Sequence, residues 1–416
     1  MVLPPVCSES LSELPQASLV SQAVEAGLQE RAEQALQESV EVSTSISEHF
    51  ASLSDPRESG RVDHKLLDIV TITVCAVICG ANNWVEVEVF GQSCHAWLSQ
   101  FLELPGGIPS HDTFGRVFGL ISGEAFQRSF ASWMQSMFEH SDGQMIAIDG
   151  KRLRRSHDKK SNKAAIHMVS AWAQENRVVL GQVKTASKSN EITAIPKLLE
   201  LLDIKGCIVT IDALGCQRAI AGKIKAGGGD YVLALKGNQS QLHTDVVEYF
   251  EYAQRRQFQS ILSDYHETID KAHGRVEIRR YRTIAQLDWL EEKSKWAGLR
   301  LIGQVESERH IDGKVSRETR YYIASIDNDA EQFARAVRGH WGIENTLHWS
   351  LDVTFREDDS RLRQGEAAEN FAVVRHVALS LLQQEKSLKV GIAAKRLKAA
   401  LDPNYLLKVL TQANKI

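Results

Sequence analysis

Apolar residues run along this chain in two different rhythms. Between residues 46 and 138 they recur at helical spacing, in ISEHFASL, the run 65–80, WVEVEVFGQSCHAWLSQFL, TFGRVFGLI and EAFQRSFASWMQSMF. Pro105, Gly106, Gly107 and Pro109 interrupt the pattern, and Ser110 or Asp112 is placed to cap the helix that follows. From residue 143 the rhythm changes to short, β-branched runs. QMIAIDG, AIHMVSAWAQ and RVVLGQVKTA predict three strands, the last two joined by a turn at Glu175–Asn176. Ser189 or Asn190 then caps a helix reaching Leu202. CIVTIDAL predicts a fourth strand, CQRAIAGKIKAG a helix ended by Gly227–Gly229, and DYVLALKG a fifth strand.

The order is therefore β-β-β-α-β-α-β, three strands in meander and then two crossover units that favour parallel pairing. That is the strand order of the ribonuclease H-like α/β fold, in which the first and fourth strands are central neighbours. An insertion over about 240–328 follows. It opens with a helix around LHTDVVEYFEYAQ, and HGRVEIRRYRTI, LRLIGQVESERHI and SRETRYYIAS then alternate as antiparallel strands, with a hairpin turn at Asp312–Gly313. AEQFARAVRGHWGIENTLHWSLDVTF and EAAENFAVVRHVALSLLQQE return to helix. The expected division is an acidic leader over 1–45 with one helix near 20–40, a helical N-terminal domain over 46–138, an α/β domain over 139–385, and a basic helical tail over 386–416.

Composition narrows the class. The chain has 416 residues, 43% of them hydrophobic, which is ample for a folded core. Net charge is −4, but residues 1–60 hold ten acids against two bases, so the rest of the chain is mildly basic. A basic body of this kind is compatible with nucleic acid. Cys75 and Cys79 have no second pair to complete a zinc site, and the six scattered cysteines read as reduced core thiols. The acidic start carries no secretory pattern. The longest apolar stretch, Ile69 to Ala81, is shorter than the roughly 20 residues a membrane span needs. A cytoplasmic protein with no membrane partner is expected.

Three acids carry the candidate chemistry. Asp149 and Asp212 each end a predicted buried strand, the first and the fourth, so adjacent strand ends bring their carboxylates together. Glu344 lies in the helical pattern after the insertion, among Trp341, Asn345, His348 and Trp349. Its rivals for third place are Glu357, Asp358, Asp359, Glu366 and Glu369. Phosphodiester cleavage needs an activated oxygen nucleophile and relief of charge on the leaving oxygen, and two divalent ions about 3.5–4 Å apart supply both. Mg²⁺ and Mn²⁺ take hard oxygen ligands. Without cations, three close carboxylates would raise one another's pKa.

A competing pattern overlaps Glu344. His340, Glu344 and His348 are spaced i, i+4, i+8 on one helical face, a stripe that suits zinc but leaves the two strand-end aspartates unexplained. Basic residues cluster nearby: Lys151, Arg152, Arg154, Arg155, Lys159, Lys160 and Lys163 follow Asp149 directly. Lys236 ends the fifth strand, Arg338 precedes His340, and Arg275 with Arg279, Arg280 and Arg282 makes a basic strand after His273-Gly274. Such side chains can neutralise DNA phosphates, and Trp341 can stack on an unpaired base. A solvated charged loop and a core tryptophan are the competing readings.

AIDGK, TIDALGCQ, YVLALKGNQ, HGRVEIR and RGHWGIENTLHWSLDVTF, in this order, resemble the DDE transposases of bacterial insertion sequences, in the branch of the H-repeat-associated proteins beside Rhs elements. The resemblance runs from about residue 45 to 385. It implies a ribonuclease H-like catalytic domain with a β-strand insertion, Asp149, Asp212 and Glu344 as catalytic and metal-binding acids, two Mg²⁺ or Mn²⁺ ions, DNA ends and target DNA as partners, and a homodimer on DNA. Related transposases carry a Tyr-x₂-Arg-x₃-Glu-x₆-Lys signature around the glutamate, but here Val337, His340 and Leu351 occupy the Tyr, Arg and Lys positions. The DNA contacts of that signature do not transfer. A silent DNA-binding relic and a metal-independent two-carboxylate hydrolase are the other functions this sequence allows.

Overall fold

The computed structural model describes Gln37, Thr44 and residues 46–58, 60, 62–136, 142–157, 165–185, 191–272 and 274–411. The leader helix, the cap at Ser189 or Asn190, Lys159, Lys160, Lys163 and His273 lie outside the described residues. Four long helices precede the sheet: α1 (Leu66–Ile78), α2 (Trp84–Ser93), α3 (His111–Leu120) and α4 (Gly123–Ser136). Helix α1 is mostly apolar and buried from Asp68 to Ile78, as a helix enclosed by others is, and its buried Asp68 accepts from the Leu104 amide. Asn83 caps α2 through the Glu86 amide and Ser110 caps α3 through the Thr113 amide. Phe50, Phe118, Phe126 and Phe130 meet edge to face between them.

The five expected strands form as read: β1 (Met145–Arg152), β2 (His167–Ala173), β3 (Val178–Lys184), β4 (Ile208–Ile211) and β5 (Asp230–Leu235). Helices α5 (Glu191–Glu200) and α6 (Arg218–Ala226) make the crossovers. Strand β2 pairs antiparallel with β1 and β3, while β4 pairs parallel with both β1 and β5. The core of β1 and all of β4 are buried, which is why they read as unbroken apolar runs rather than alternating ones. Ile148 pairs with Ile211, so Asp149 and Asp212 are the next residues on neighbouring parallel strands.

The insertion lengthens this same sheet. After α7 (Ser240–Arg255) come β6 (Ser263–Ala272), β7 (Arg275–Ile284), β8 (Leu301–Ile311) and β9 (Lys314–Ala324), and the sheet order is β3-β2-β1-β4-β5-β9-β8-β7-β6. Strand β9 pairs antiparallel with β5, from Val232↔Ala324 to Leu235↔Tyr321. The β8–β9 hairpin closes at Asp312 and Gly313, both at positive φ as its turn demands. Strand β6 is the one the sequence pattern misses. SDYHETIDKA is polar and largely exposed because it is the free edge of the sheet, with no apolar alternation to announce it.

Helix α8 (Ala330–Gly342), capped by Asp329, crosses the sheet over β1, β4, β6 and β7. The α-helix expected to continue from it gives way to a π-helical turn over Ile343–His348 before α9 (Trp349–Val353). The long helix α10 (Ala367–Gln384) is buried from Ala367 to Leu382 and packs against α1, α3, α4 and β3. Helices α11 (Ile392–Leu401) and α12 (Pro403–Leu410) fold back on it. The molecule is thus a ribonuclease H-like core with a β-strand insertion, preceded by a helical region, and α10 is the joint between the two.

At that joint the side-chain amide of Asn370, fully buried, donates to the carbonyls of Phe118 (2.8 Å) and Ile121 (3.0 Å) at the end of α3. Asn370→Ala leaves two buried carbonyls without this donor. The expected loss is about 1–3 kcal/mol of stability, read as a lower urea midpoint with an unchanged m-value; an unaltered midpoint would remove this contact from the account of the joint.

Candidate active site

The site is built where the β1–β4 ladder ends: β4 stops at Ile211, but β1 does not end at Asp149 as expected and runs on along β2 to Arg152. Asp149 is largely buried beneath α8, and its Oδ2 lies 3.7 Å from Nδ1 of His348. Asp212 turns the chain out of β4: its Oδ1 accepts from the amides of Leu214 (2.9 Å) and Gly215 (3.2 Å). This uses one oxygen as a loop-former and leaves the other. Asp212 and Glu344 line one cleft of ≈ 530 Å³ between β4, β5, β9 and α8. Glu344 itself is exposed, on the first turn of the π-helix.

The π-turn decides where the His340, Glu344, His348 stripe goes. A wider turn rotates the residues after it relative to those before it. His340 reaches back to β4, its Nδ1 3.2 Å from Oγ1 of Thr210, while His348 faces Asp149 on β1. Burial lowers the pKa of His340 and takes that of His348 to about 4, so His348 meets Asp149 as a neutral ring. Among the described residues, no three His, Cys, Asp or Glu side chains stand close enough together to hold a metal ion by themselves.

The rival acids are engaged elsewhere. Glu357 is buried and bonds to Lys151 at 2.9 Å. Asp358 pairs with Arg154 and Asp359 with Arg155. Glu366 and Glu369 both hold Lys184, at 2.7 and 2.8 Å. Of the six acids in question, Glu344 is the one lining the cleft with Asp212. Among the described residues, neither Asp212 nor Glu344 has a basic side chain within ion-pair distance.

The basic candidates divide into two groups. Lys151 is turned inward, held by Asp352 (2.6 Å), Glu357 (2.9 Å) and Asp358 (3.6 Å). Arg152, Arg154, Arg155, Lys236, Arg275 and Arg338 are exposed, with Arg338 3.6 Å from Asp270 and Arg275 3.8 Å from Glu277. Lys236, His340 and Trp341 line the cleft. Sequence reading missed Arg320 of β9, whose guanidinium lies 4.8 Å over the Trp341 ring at the cleft wall. Nothing in SRETRYYIAS sets that arginine apart from its charged neighbours, and only the pairing of β9 with β5 brings it to the site.

Comparison with known proteins agrees along most of the chain. Residues 47–134 match the family model described as DDE_Tnp_1-associated, and residues 140–381 match that of the Transposase DDE domain. The chain is 44% identical over 370 residues to "H repeat-associated putative transposase YhhI" of Escherichia coli strain K12, an alignment covering 88% of this chain and 97% of that protein. It is 45% identical over 377 residues to "Putative transposase YncI" of Escherichia coli O157:H7, covering 89% and 96%. A solved piggyBac transposase synaptic complex with hairpin DNA aligns with 91% of this chain and 78% of its own, at 10% identity and a TM-score of 0.39, too remote a likeness to carry a conclusion.

The electrostatics of the strand ends are unfavourable as they stand. Burial, and then repulsion from Glu191, Asp212 and Glu344, push the Asp149 carboxyl up from 3.8 to about 7. A folded-state pKa above the unfolded one means that the native state takes up the proton first. The stability linked to Asp149 is therefore complete below about pH 4 and is lost as pH rises through about 7. In chelator, Asp149→Asn should be more stable than the parent at pH 8, by on the order of 1–3 kcal/mol, and the difference should vanish towards pH 4. Urea unfolding at the two pH values measures it, and a destabilised variant at pH 8 would contradict it.

Proposed function

The chain belongs to the DDE transposases of the H-repeat-associated bacterial insertion-sequence family, and we propose that it cuts DNA at the ends of such an element and joins those ends to a target. The observation that carries this reading is the register of β1 with β4. It puts Asp149 and Asp212 next to one another just past the end of the β1–β4 ladder, with Glu344 lining the same cleft as Asp212.

The donor set fits hard divalent cations. All three groups are carboxylates, the Asp212 and Glu344 charges repel that of Asp149, and among the described residues none forms an ion pair with Lys or Arg. Asp149, Asp212 and Glu344 would hold two Mg²⁺ or Mn²⁺ ions, with Glu344, exposed and without a hydrogen-bond partner among the described residues, as the group that closes the site. Bound there, the ions activate the attacking oxygen and stabilise the leaving one.

The chain's own side chains supply the rest. His348, neutral beside Asp149, leaves that carboxylate available rather than neutralising it. His340, tied to Thr210, fixes the start of the π-turn that carries Glu344. Lys236 and Arg320 bring positive charge into the cleft, where a phosphate would lie. Trp341 offers a stacking face. Arg152, Arg154, Arg155, Arg275 and Arg338 are exposed for backbone contacts further along the duplex. Lys151 serves from inside, as the ion-pair partner of Glu357. Water attacks a phosphodiester at the element's end and frees a 3′ hydroxyl, which then attacks a phosphodiester of the target, so one bond forms as one breaks in each step.

In this reading residues 139–385 carry the chemistry, residues 46–138 present a helical surface to DNA or to a second copy, and the tail 386–416 braces both. Joining two ends at once calls for two such sites, hence a homodimer on DNA. Among the described residues no helix is long and apolar enough to cross a membrane, in keeping with work on DNA in the cytoplasm.

Asp149→Asn, Asp212→Asn and Glu344→Gln should each reduce Mg²⁺-dependent nicking of the element's end DNA by roughly 1,000-fold or more, because several kcal/mol of transition-state stabilisation is removed. Binding of the same DNA in a mobility-shift assay should persist. Full nicking by either aspartate variant would sink the assignment, and nicking that survives chelator would favour a metal-independent hydrolase. A parent chain that binds the ends but never nicks them would be a silent relic.

A further inference from the structure

Strand β6 ends the nine-stranded sheet with its outer side unpaired. Proteins usually blunt such an edge by keeping it short, or with proline, a bulge or covering chain. Strand β6 is ten residues long, Ser263–Ala272, has no proline, and keeps an unbroken register with β7 from Ser263↔Ile284 to Ala272↔Arg275. It is also largely exposed. The opposite edge, β3, is treated differently: the amide of Val179 donates to the Ser380 hydroxyl of α10 at 3.1 Å.

The ladder fixes which main-chain groups of β6 face outward. The amide of Ala285 donates to the Leu262 carbonyl at 3.0 Å, so the even-numbered residues of β6 are the ones that exchange bonds with β7. Tyr265, Glu267, Ile269 and Lys271 therefore turn their N–H and C=O groups to the free side. The Tyr265 amide behaves accordingly, since it donates to Oδ1 of its own neighbour Asp264 at 2.8 Å. Side chains alternate with the same period, so Glu267, Ile269 and Lys271 share one face of the sheet. Ile269 is 56% exposed between an acid and a base.

We propose that β6 is the docking edge for a second copy of this chain, the two strands pairing antiparallel about a two-fold axis at Ile269 so that the sheet continues through both copies. In that register Ile269 lies opposite its own counterpart, and each Glu267 lies opposite a Lys271. Lys271 is exposed and has no ion pair among the described residues. Glu267 holds Arg280 and the Tyr265 hydroxyl through Oε2, which leaves Oε1 for the lysine. On the other face Asp270 meets Thr268. An axis at Glu267, Asp270 or Lys271 would instead set like charges opposite one another. Charges that discourage a foreign strand thus select one arrangement of this strand against itself. The interface does not rest on the metal-dependent reading above.

One added strand pair is smaller than the roughly 1,200 Å² of a stable complex, so the expected species is a reversible dimer. Sedimentation velocity of the full chain without DNA, at rising concentration, measures it, and urea unfolding checks the fold. Ile269→Pro removes an amide that β7 does not use and should leave the chain monomeric where the parent dimerises. Lys271→Glu sets acid against acid in both charged pairs and should raise the dimer dissociation constant about 10-fold, with the unfolding midpoint unchanged. Mixing it with Glu267→Lys restores both pairs, and the mixture should dimerise better than either chain alone. A parent chain that stays monomeric at its highest soluble concentration overturns the proposal. Parental affinity in Lys271→Glu also overturns it, as does a mixture of folded chains that gains nothing. If Ile269→Pro unfolds, Lys271→Glu decides by itself.

Discussion

The parallel pairing of β1 with β4 is the constraint on which the rest of this protein depends. Two strands buried in the middle of a sheet cannot slip by one residue without turning their apolar side chains to the wrong face. Ile148 therefore stays opposite Ile211, and the acids that follow stay neighbours. Their one polar group along the shared ladder is Thr210, whose hydroxyl is taken up by His340. The first positions where charge is tolerated are those just past the end of the β1–β4 ladder, so the location of the carboxylates follows from the burial of the strands that deliver them.

What the sheet alone does not place is Glu344, which arrives from almost two hundred residues away. A buried ion pair ties its segment to β1. Lys151, on β1 and on the same side as Asp149, bonds to Glu357 just beyond α9, with Asp352 and Asp358 completing the shell. Arg356 takes a left-handed backbone, φ 49°, at the turn that brings Glu357 inward. Burying such charges is costly unless they are paired, so the segment after Glu344 docks where Lys151 is. The same segment is reached from the other side by Arg396 of α11, which donates to the carbonyls of Thr354 and of Val77 in α1. Strand end, π-turn, helical region and tail are in this way referred to one point.

The chain carries acids just past the β1–β4 ladder and charges of both signs beyond them. Among the described residues Asp149, Asp212 and Glu344 form no ion pair with a lysine or arginine, whereas every rival acid downstream has such a partner. Pairing the neighbouring acids with cations and leaving these three without an ion pair keeps the electrostatic cost at Asp149, whose carboxyl is pushed up to about 7. The π-turn fits this arrangement, since a wide turn in a helix is held only where surrounding packing compensates for it. The histidines on either side of Glu344, His340 before the turn and His348 at its end, point to different strands and leave Glu344 exposed between them.

Much of this was legible in the residues. Five strands and their crossovers follow from β-branched runs and helical spacing, because those periodicities are set by backbone geometry and burial. Asp149 and Asp212 could be paired from strand order alone, and the helices 66–78 and 367–384 from their apolar length. Three things required the tertiary structure. Strand β6 is a polar free edge, so burial left no mark on its sequence. The stripe His340, Glu344, His348 reads as one helical face, but a π-turn is stabilised by what packs around it rather than by local propensity, and it sends the histidines apart. Lys151 and Arg320 have ordinary local contexts, a basic loop and a charged strand. Their partners, Glu357 and Trp341, are distant in sequence. The sequence by itself determined which strands carry the acids, since periodicity and burial are local properties. Which other charges face those acids was decided only when non-local strands and helices closed around them, because an electrostatic environment belongs to positions in space and not to positions along the chain.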